Sequence, residues 1–270
     1  MRQAWAEAAA HPFDDVAATY DASFTGSALG ARLRALVWER LDAALASAGR
    51  VLEIGCGTGE DAVHLARRGS DVVATDPSPA MLRVAAAKAA HAGCGGRIRF
   101  VCAPMERLGD VLAGERFDGA FSSFGAVNCV SDLERALTRL APLLAPRAPL
   151  LLVVMGRHVP WEWAWFLARG GWREAFRRCR RDGAQWRGLR IRYPTPKELA
   201  AALAADFAPV GRWPLGLLLP PTYASAWLER RPKALAALAT LERALQRCQP
   251  LAALADHYIL EARRLPGTHP

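Results

Sequence analysis

Three glycines at alternate positions, Gly55, Gly57 and Gly59, follow the apolar run VLEI, and a second apolar run, DVVATD, ends in Asp76. A turn without side chains lets a ligand approach main-chain N–H groups, and a helix starting there adds a positive end. Asp76, at the end of the next strand, is placed to accept two hydrogen bonds from a ribose diol. The plain structural alternative is a tight turn with a helix-capping aspartate. A dinucleotide would want a further glycine in G-x-G-x-x-G, where this chain has Glu60. A carboxylate there faces a pyrophosphate unfavourably. Glu53, inside the first strand, suits a ligand that carries an ammonium or sulfonium instead.

These residues need elements to hold them. Strand patterns fall at 51–55, 71–76, 97–102, 117–123 and 149–155, and helical patterns between them at 60–68, 78–92 and 131–144. Ser78 and Ser131 stand where N-caps belong. This alternation predicts βαβ units and a parallel α/β sheet covered on both faces. A helical pattern at 29–45 precedes the glycine turn, a position unlike that of a dinucleotide fold opening on its first strand. The second half is less regular. Residues 160–194 are rich in Trp and Arg, 195–207 reads as a capped helix, 209–221 contains a strand, 226–248 is helical with Pro232 as a break or new start, and 256–264 reads as a last strand.

The chain has 270 residues, 35 Lys and Arg against 26 Asp and Glu, and a net charge of +9. Residues 1–155 are close to neutral, so the excess lies in 156–270 and points to an anionic partner or surface there. No apolar run reaches the roughly 18 residues of a membrane span, and the first residues lack an apolar signal core. The expectation is a cytoplasmic protein, peripheral to a membrane at most. The six cysteines show no paired spacing and read as free thiols. His91 and Cys94 have ligand-like spacing but no partners, so no metal site is expected.

VLEIGCGTG together with VVATDPSPAML resembles the class I S-adenosylmethionine-dependent methyltransferases. FDDVAATYDASF (13–24) is similar to the opening segment of many small-molecule members. SSFGAVNCVSDLERAL (122–137) is similar to the segment after strand 4 of the ubiquinone/menaquinone methyltransferases. The resemblance covers about residues 12–155. It implies a Rossmann-like sheet, mostly parallel with an antiparallel last strand. The implied cofactor is S-adenosylmethionine, leaving as S-adenosylhomocysteine. It also implies contacts: Gly55, Cys56 and Gly57 at the methionine moiety, Glu53 orienting the turn and the amino group, and Asp76 at the ribose. Pro77 and Met81 would lie against the adenine, Ser123 would touch the cofactor from the fourth strand, and Arg34 would pair with its carboxylate. Ala103 and Pro104 stand where the family often has Asp or Asn for the adenine amino group. That recognition passes to backbone at Met105 or to Glu106.

Methyl transfer from a sulfonium is an in-line displacement that needs positioning and a dry site more than a fixed triad. Tyr20 on the covering segment, Asn128 after strand 4 and His158 after strand 5 are the candidate catalytic residues. Each also has a bland reading: core aromatic, loop cap and surface histidine. Two stretches exceed what the sheet needs. They divide the single domain into a helical lid (1–48), a cofactor core (49–155) and two substrate-cap insertions (156–194 and 221–255). On a continuous helix Trp161, Trp165, Trp172 and Phe176 share one face and Arg169, Arg173, Arg177 and Arg180 another. Trp161, Trp165, Tyr193 and Tyr223 are the expected pocket residues. The basic segment suits an anionic or acyl-carrier-borne substrate, an anionic membrane surface, or plain solvation. The expected acceptor is a small, largely apolar molecule. An RNA methyltransferase is the first rival, favoured by the basic charge but lacking the Asn/Asp-Pro-Pro-aromatic motif of base-amine methylation. A non-catalytic cofactor-binding protein is the second.

Overall fold

The computed structural model describes residues 10–221, 228 and 230–267. Its strands are β1 (Arg50–Ile54), β2 (Asp71–Asp76), β3 (Ile98–Cys102), β4 (Gly119–Ser122), β5 (Pro149–Met155), β6 (Ala184–Trp186), β7 (Leu189–Ile191), β8 (Phe207–Leu215) and β9 (His257–Arg264). Seven of them form one sheet in the order β3-β2-β1-β4-β5-β9-β8. Pairings from β3 through β5 are parallel; β9 runs antiparallel to β5 and to β8. The helices are α1 (Ala17–Ser23), α2 (Ala28–Ala44), α3 (Glu60–Arg67), α4 (Pro79–His91), α5 (Leu108–Val111), α6 (Leu133–Leu140), α7 (Pro160–Leu167), α8 (Trp172–Ala175), α9 (Pro196–Leu203) and α10 (Pro232–Leu245).

The side-chain period of two in a strand divides the core into two layers. Leu150, Leu152 and Val154 of β5 join Leu137 and Leu140 of α6 and Leu199 and Leu203 of α9 on one face. Leu151 and Val153 join Leu33 and Leu41 of α2, Val63 of α3, Leu82 of α4 and Leu235 of α10 on the other. The central strands β1, β4 and β5 are buried nearly throughout because both faces of the sheet are covered there.

The caps expected at Ser78 and at the start of the 195–207 helix are present. Ser78 Oγ accepts from Met81 N at 3.1 Å, and Thr195 and Glu198 close a capping box on α9. Pro232 is a new start, the first residue of α10. At α6 the cap is Asp132, one residue beyond the expected Ser131; its carboxylate accepts from Arg135 N. Ser131 instead donates through N and Oγ to Glu106 Oε1.

The largest departure lies in the Trp- and Arg-rich stretch. A continuous helix would align Trp161, Trp165, Trp172 and Phe176. Gly170, at φ +73°, turns the chain after α7, and the short α8 follows. Beyond it, β6 and β7 form a hairpin whose two central residues, Arg187 and Gly188, both have positive φ (47° and 83°).

Candidate functional site

At the C-terminal end of β1 the chain turns through Gly55, Gly57 and Gly59, with φ of 71°, 51° and 76°. Only glycine adopts this conformation without penalty. The three positions differ in surroundings. A Cβ on Gly55 would lie 2.2 Å from Ala126 Cβ, and one on Gly59 would lie 2.8 Å from Ala85 Cβ. A Cβ on Gly57 would meet nothing within 4 Å, because Gly57 faces a cavity. Gly55 and Gly59 are fixed by packing, whereas Gly57 leaves room for a ligand.

Asp76 ends β2 beside this turn. Its Oδ2 accepts from Gly57 N at 2.9 Å and its Oδ1 from Ser78 N at 2.8 Å. Both oxygens keep a lone pair for a further donor. Burial raises its pKa to about 6, against the opposing pull of these two backbone hydrogen bonds.

The cavity has a volume of about 810 Å³. One end holds Gly55, Gly57, Asp76, Pro77, Met81, Ala103, Pro104, Met105 and Glu106. Pro77, Met81 and Met105 are apolar members of the same lining as Asp76. Ser123 lies on the wall from the end of β4. Its buried Oγ has no hydrogen-bond partner among the described residues, although such groups are ordinarily satisfied. The other end is aromatic and aliphatic: Phe13, Phe124, Val130, Met155, Trp186, Leu189, Ile191 and Tyr193, with Arg177, Gln185 and Cys129 as polar members. Phe124 is held at φ +49°, an unusual conformation for a bulky residue, and its ring packs against Phe24 and His257.

The N-terminal segment is pinned over the glycine turn by two aspartates. Asp14 Oδ1 accepts from Ser78 Oγ at 2.6 Å and from Ala80 N at 3.1 Å, at the positive end of α4. Asp21 accepts from Thr58 Oγ1 at 2.6 Å and pairs with Lys88 at 2.8 Å; Lys88 also reaches Glu60. This brings Tyr20 to the cavity wall and sets Phe13 against Trp186 at 4.7 Å between ring centroids. Arg187 pairs with Asp15 across the same junction. The hairpin and the N-terminal segment thus meet above the cavity.

Tyr20, Gly55, Gly57, Asp76, Pro77, Met81, Met105, Glu106, Ser123 and Tyr193 all line this one cavity. Other expected residues lie elsewhere. Arg34 forms a buried ion pair with Asp61 at 2.6 Å and sits under Phe24 and Phe124, so its charge is engaged below the cavity. Glu53 is buried beneath the turn, where it accepts from Ala62 N at the start of α3. Its Oε2 has no partner among the described residues, and burial, with Asp61 nearby, raises its pKa well above the usual range. Cys56 is buried, its N–H bonded to Thr75 O; only its flanking glycines reach the cavity. Asn128 is fully buried and used structurally. Its Nδ2 donates to Met155 O and Arg192 O, and its Oδ1 accepts from Met155 N. That ties β5 and β7 to the loop after β4, and the side chain does not reach the cavity.

His158 packs edge-on against Trp163, outside the cavity. Trp161 and Trp165 are likewise off the wall, Trp165 lying under the Arg169 guanidinium at 3.4 Å. The Gly170 turn separates them from Trp172 and Phe176, with which they were to share a face. Tyr223 lies outside the described residues. Within 221–255, α10 packs on the α2 layer, and Glu242 accepts from Leu217 N, Leu218 N and Leu219 N; none of the described residues there lines the cavity.

Sequence reasoning missed Phe13, Phe124, Arg177, Trp186 and Ile191 as wall residues. The hairpin had a signal in AQWRGLRI, alternating residues around an Arg-Gly turn. Arg177 is oriented by Glu162, which is 1% exposed and also pairs with Arg178 at 2.8 Å. Arg178 continues to Asp256 Oδ1 at 2.8 Å. Burial opposes ionisation of Asp256, but the Arg178 and His257 partners outweigh it and hold the carboxyl well below the usual range. This buried cluster fastens the cap to the start of β9.

With that geometry in hand, residues 51–147 match the family model described as a methyltransferase domain. The chain is 33% identical over 156 residues to a ubiquinone biosynthesis O-methyltransferase of Azorhizobium caulinodans, covering 58% of this chain and 57% of that protein. It is 31% identical over 152 residues to a tRNA 5-carboxymethoxyuridine methyltransferase of Escherichia coli, covering 54% and 57%. The matches thus span little more than half the length of these relatives. The solved CcbJ methyltransferase from Streptomyces caelestis superposes with a TM-score of 0.57 at 20% identity, over 94% of this chain and 96% of that one. The chain has the fold of the class I methyltransferases, whose methyl donor is S-adenosylmethionine. The residues present fit that group. Gly57 leaves a clearance, Asp76 offers ribose acceptors, and Ser123 Oγ stands unpartnered on the wall.

Proposed function

We propose that this chain transfers a methyl group from S-adenosylmethionine to a small, largely apolar acceptor carrying an acidic or ionised group, either free or borne on a carrier. The observation that carries this reading is the continuity of the cavity, from Gly57 and Asp76 at one end to Phe124, Trp186 and Tyr193 at the other. Asp76 would hold the ribose, Pro77, Met81 and Met105 the purine, and Ser123 a polar atom of the cofactor. When bound, S-adenosylmethionine supplies an electrophilic methyl on its sulfonium sulfur.

The chain's own contribution is orientation and exclusion of water. Phe13 on Trp186 covers the site, and Phe124 adds an aromatic wall. Burial raises the pKa of both Tyr20 and Tyr193, so their hydroxyls stay protonated and donate hydrogen bonds at neutral pH. They orient an acceptor rather than deprotonate it. Arg177 at the acceptor end suits an anionic group, and an acceptor that arrives ionised needs no general base.

The relative that acts on tRNA, together with the charge of +9, favours RNA as a second reading. Transfer of labelled methyl from S-adenosylmethionine to phenols and carboxylates, free and carrier-linked, is to be compared with transfer to bulk tRNA. Labelling of small acceptors, lost in Asp76→Ala, supports the first reading. Labelling of tRNA alone replaces it with the second.

A further inference from the structure

The α7–α8 tip carries a patch that the cavity does not use. Trp172 is 66% exposed, Leu167 47% and Phe176 39%. Trp172 meets Phe176 edge-on at 6.4 Å, and Phe176 meets Trp163 at 5.8 Å, so the rings form one strip. Leu167 extends it, standing one helical turn beyond Trp163 on α7. A contiguous exposed apolar strip on a charged surface marks an interaction site.

The surrounding charge is arginine. Arg169, Arg173, Arg180 and Arg181 are all exposed. Arg169 is held at the tip by Trp165, through its ring and its carbonyl oxygen. Arg173, Arg180 and Arg181 form no ion pair with any described residue. Of the acids in the cap, Glu162 is buried against Arg177 and Arg178, which leaves Glu174 and Asp182 at the surface.

Apolar and cationic groups together select the partner. A purely polar acidic surface would satisfy the arginines and leave the indole and leucine in water. The boundary layer of an anionic bilayer takes both, acyl chains against Trp172 and Leu167 and phosphates against the guanidinium groups. The same stretch of chain supplies Arg177 and the β6–β7 hairpin to the cavity wall, so a docked tip would lie beside the part of the cavity lined for an apolar molecule.

We propose that the α7–α8 tip docks on anionic bilayers. Trp172 and Leu167 enter the headgroup layer, and Arg169, Arg173, Arg180 and Arg181 lie against lipid phosphates. The inference goes beyond the methyl-transfer reading and is tested without acceptor or cofactor.

The test is co-sedimentation of the full chain with vesicles of phosphatidylcholine, with and without phosphatidylglycerol. Binding is expected only to the mixed vesicles and is expected to weaken in high salt. At about 1 kcal/mol per basic residue, the combined Arg173→Gln, Arg180→Gln, Arg181→Gln variant should partition about 100-fold less. Trp172→Ala should partition at least tenfold less, having lost the buried indole. Wild-type affinity of both variants for S-adenosylhomocysteine would show that they are folded. Absence of vesicle binding, equal binding to neutral vesicles, or unchanged partition of either variant would overturn the proposal. So would retention on an acidic carrier protein or RNA without vesicle binding.

Discussion

Alanine at Gly57 and alanine at Gly55 should fail in different ways, and the difference follows from what each added methyl meets. Both positions have positive φ, so each substitution carries a left-handed backbone penalty of about 1–2 kcal/mol. At Gly57 that is the whole effect on folding, since the new Cβ has nothing within 4 Å. For a chain of this size, a loss of 1–2 kcal/mol lowers Tm by about 2–8 °C. At Gly55 the methyl would lie 2.2 Å from Ala126 Cβ, far inside contact distance, and overpacking adds about 1–3 kcal/mol. Gly55→Ala should therefore be clearly the less stable protein. Ligand binding should rank them otherwise. The Gly57 methyl occupies the clearance where a ligand would meet the main chain, so a folded Gly57→Ala should bind S-adenosylhomocysteine at least tenfold more weakly, a loss of about 1.4 kcal/mol or more. Thermal melts give the stability order, and isothermal titration gives the affinity. A Gly57→Ala protein that binds as wild type would refute the reasoning, because the open space beside Gly57 would then not be the ligand's.

Asn128→Ala should lower stability by about 2–4 kcal/mol, since three side-chain hydrogen bonds in a buried site are lost and Met155 N is left without its acceptor. Chemical denaturation measures this, and a loss under 1 kcal/mol would contradict the structural role given to Asn128. The pKa of Asp76, raised by burial to about 6, has a pH signature. In the unliganded protein the folded pKa exceeds the unfolded one, so stability contributed by its protonated form should decline as pH rises from about 4 to 6, by up to about 3 kcal/mol. Affinity for S-adenosylhomocysteine should move the opposite way, weakening below about pH 6 as the carboxylate acceptor is lost; a flat profile from pH 5 to 8 would remove Asp76 from the ligand.

The sequence made legible what is local. The glycine turn, the caps at Ser78 and Thr195 and the alternation of strands with helices depend on residues within a few positions of one another. The antiparallel β9 followed from the family resemblance. What stayed hidden depends on partners far along the chain. Arg34 reads as a free cation until Asp61 is folded beside it. Asn128 reads as a loop residue facing substrate until β7 brings up Arg192 O. Asp14 and Asp21 gave no sign that they would fasten the lid, because Ser78 and Lys88 lie far downstream. In the cap the strong Trp spacing outweighed a local signal that was present. Gly170 and Gly171 separate α7 from α8, and with them Trp161 and Trp165 from the Trp172 and Phe176 that were to share their face.

The central claim is that the glycine turn and Asp76 form an S-adenosylmethionine site. Isothermal titration of S-adenosylhomocysteine into the wild type and Asp76→Ala tests it most directly, with a nicotinamide dinucleotide as the competing ligand. The account predicts one site per chain, little or no binding of the dinucleotide, and a loss of roughly 2–4 kcal/mol in the variant, as expected when charge-assisted hydrogen bonds to the ribose are removed and partly replaced by water. Equal affinity in the variant, or preference for the dinucleotide, would contradict it.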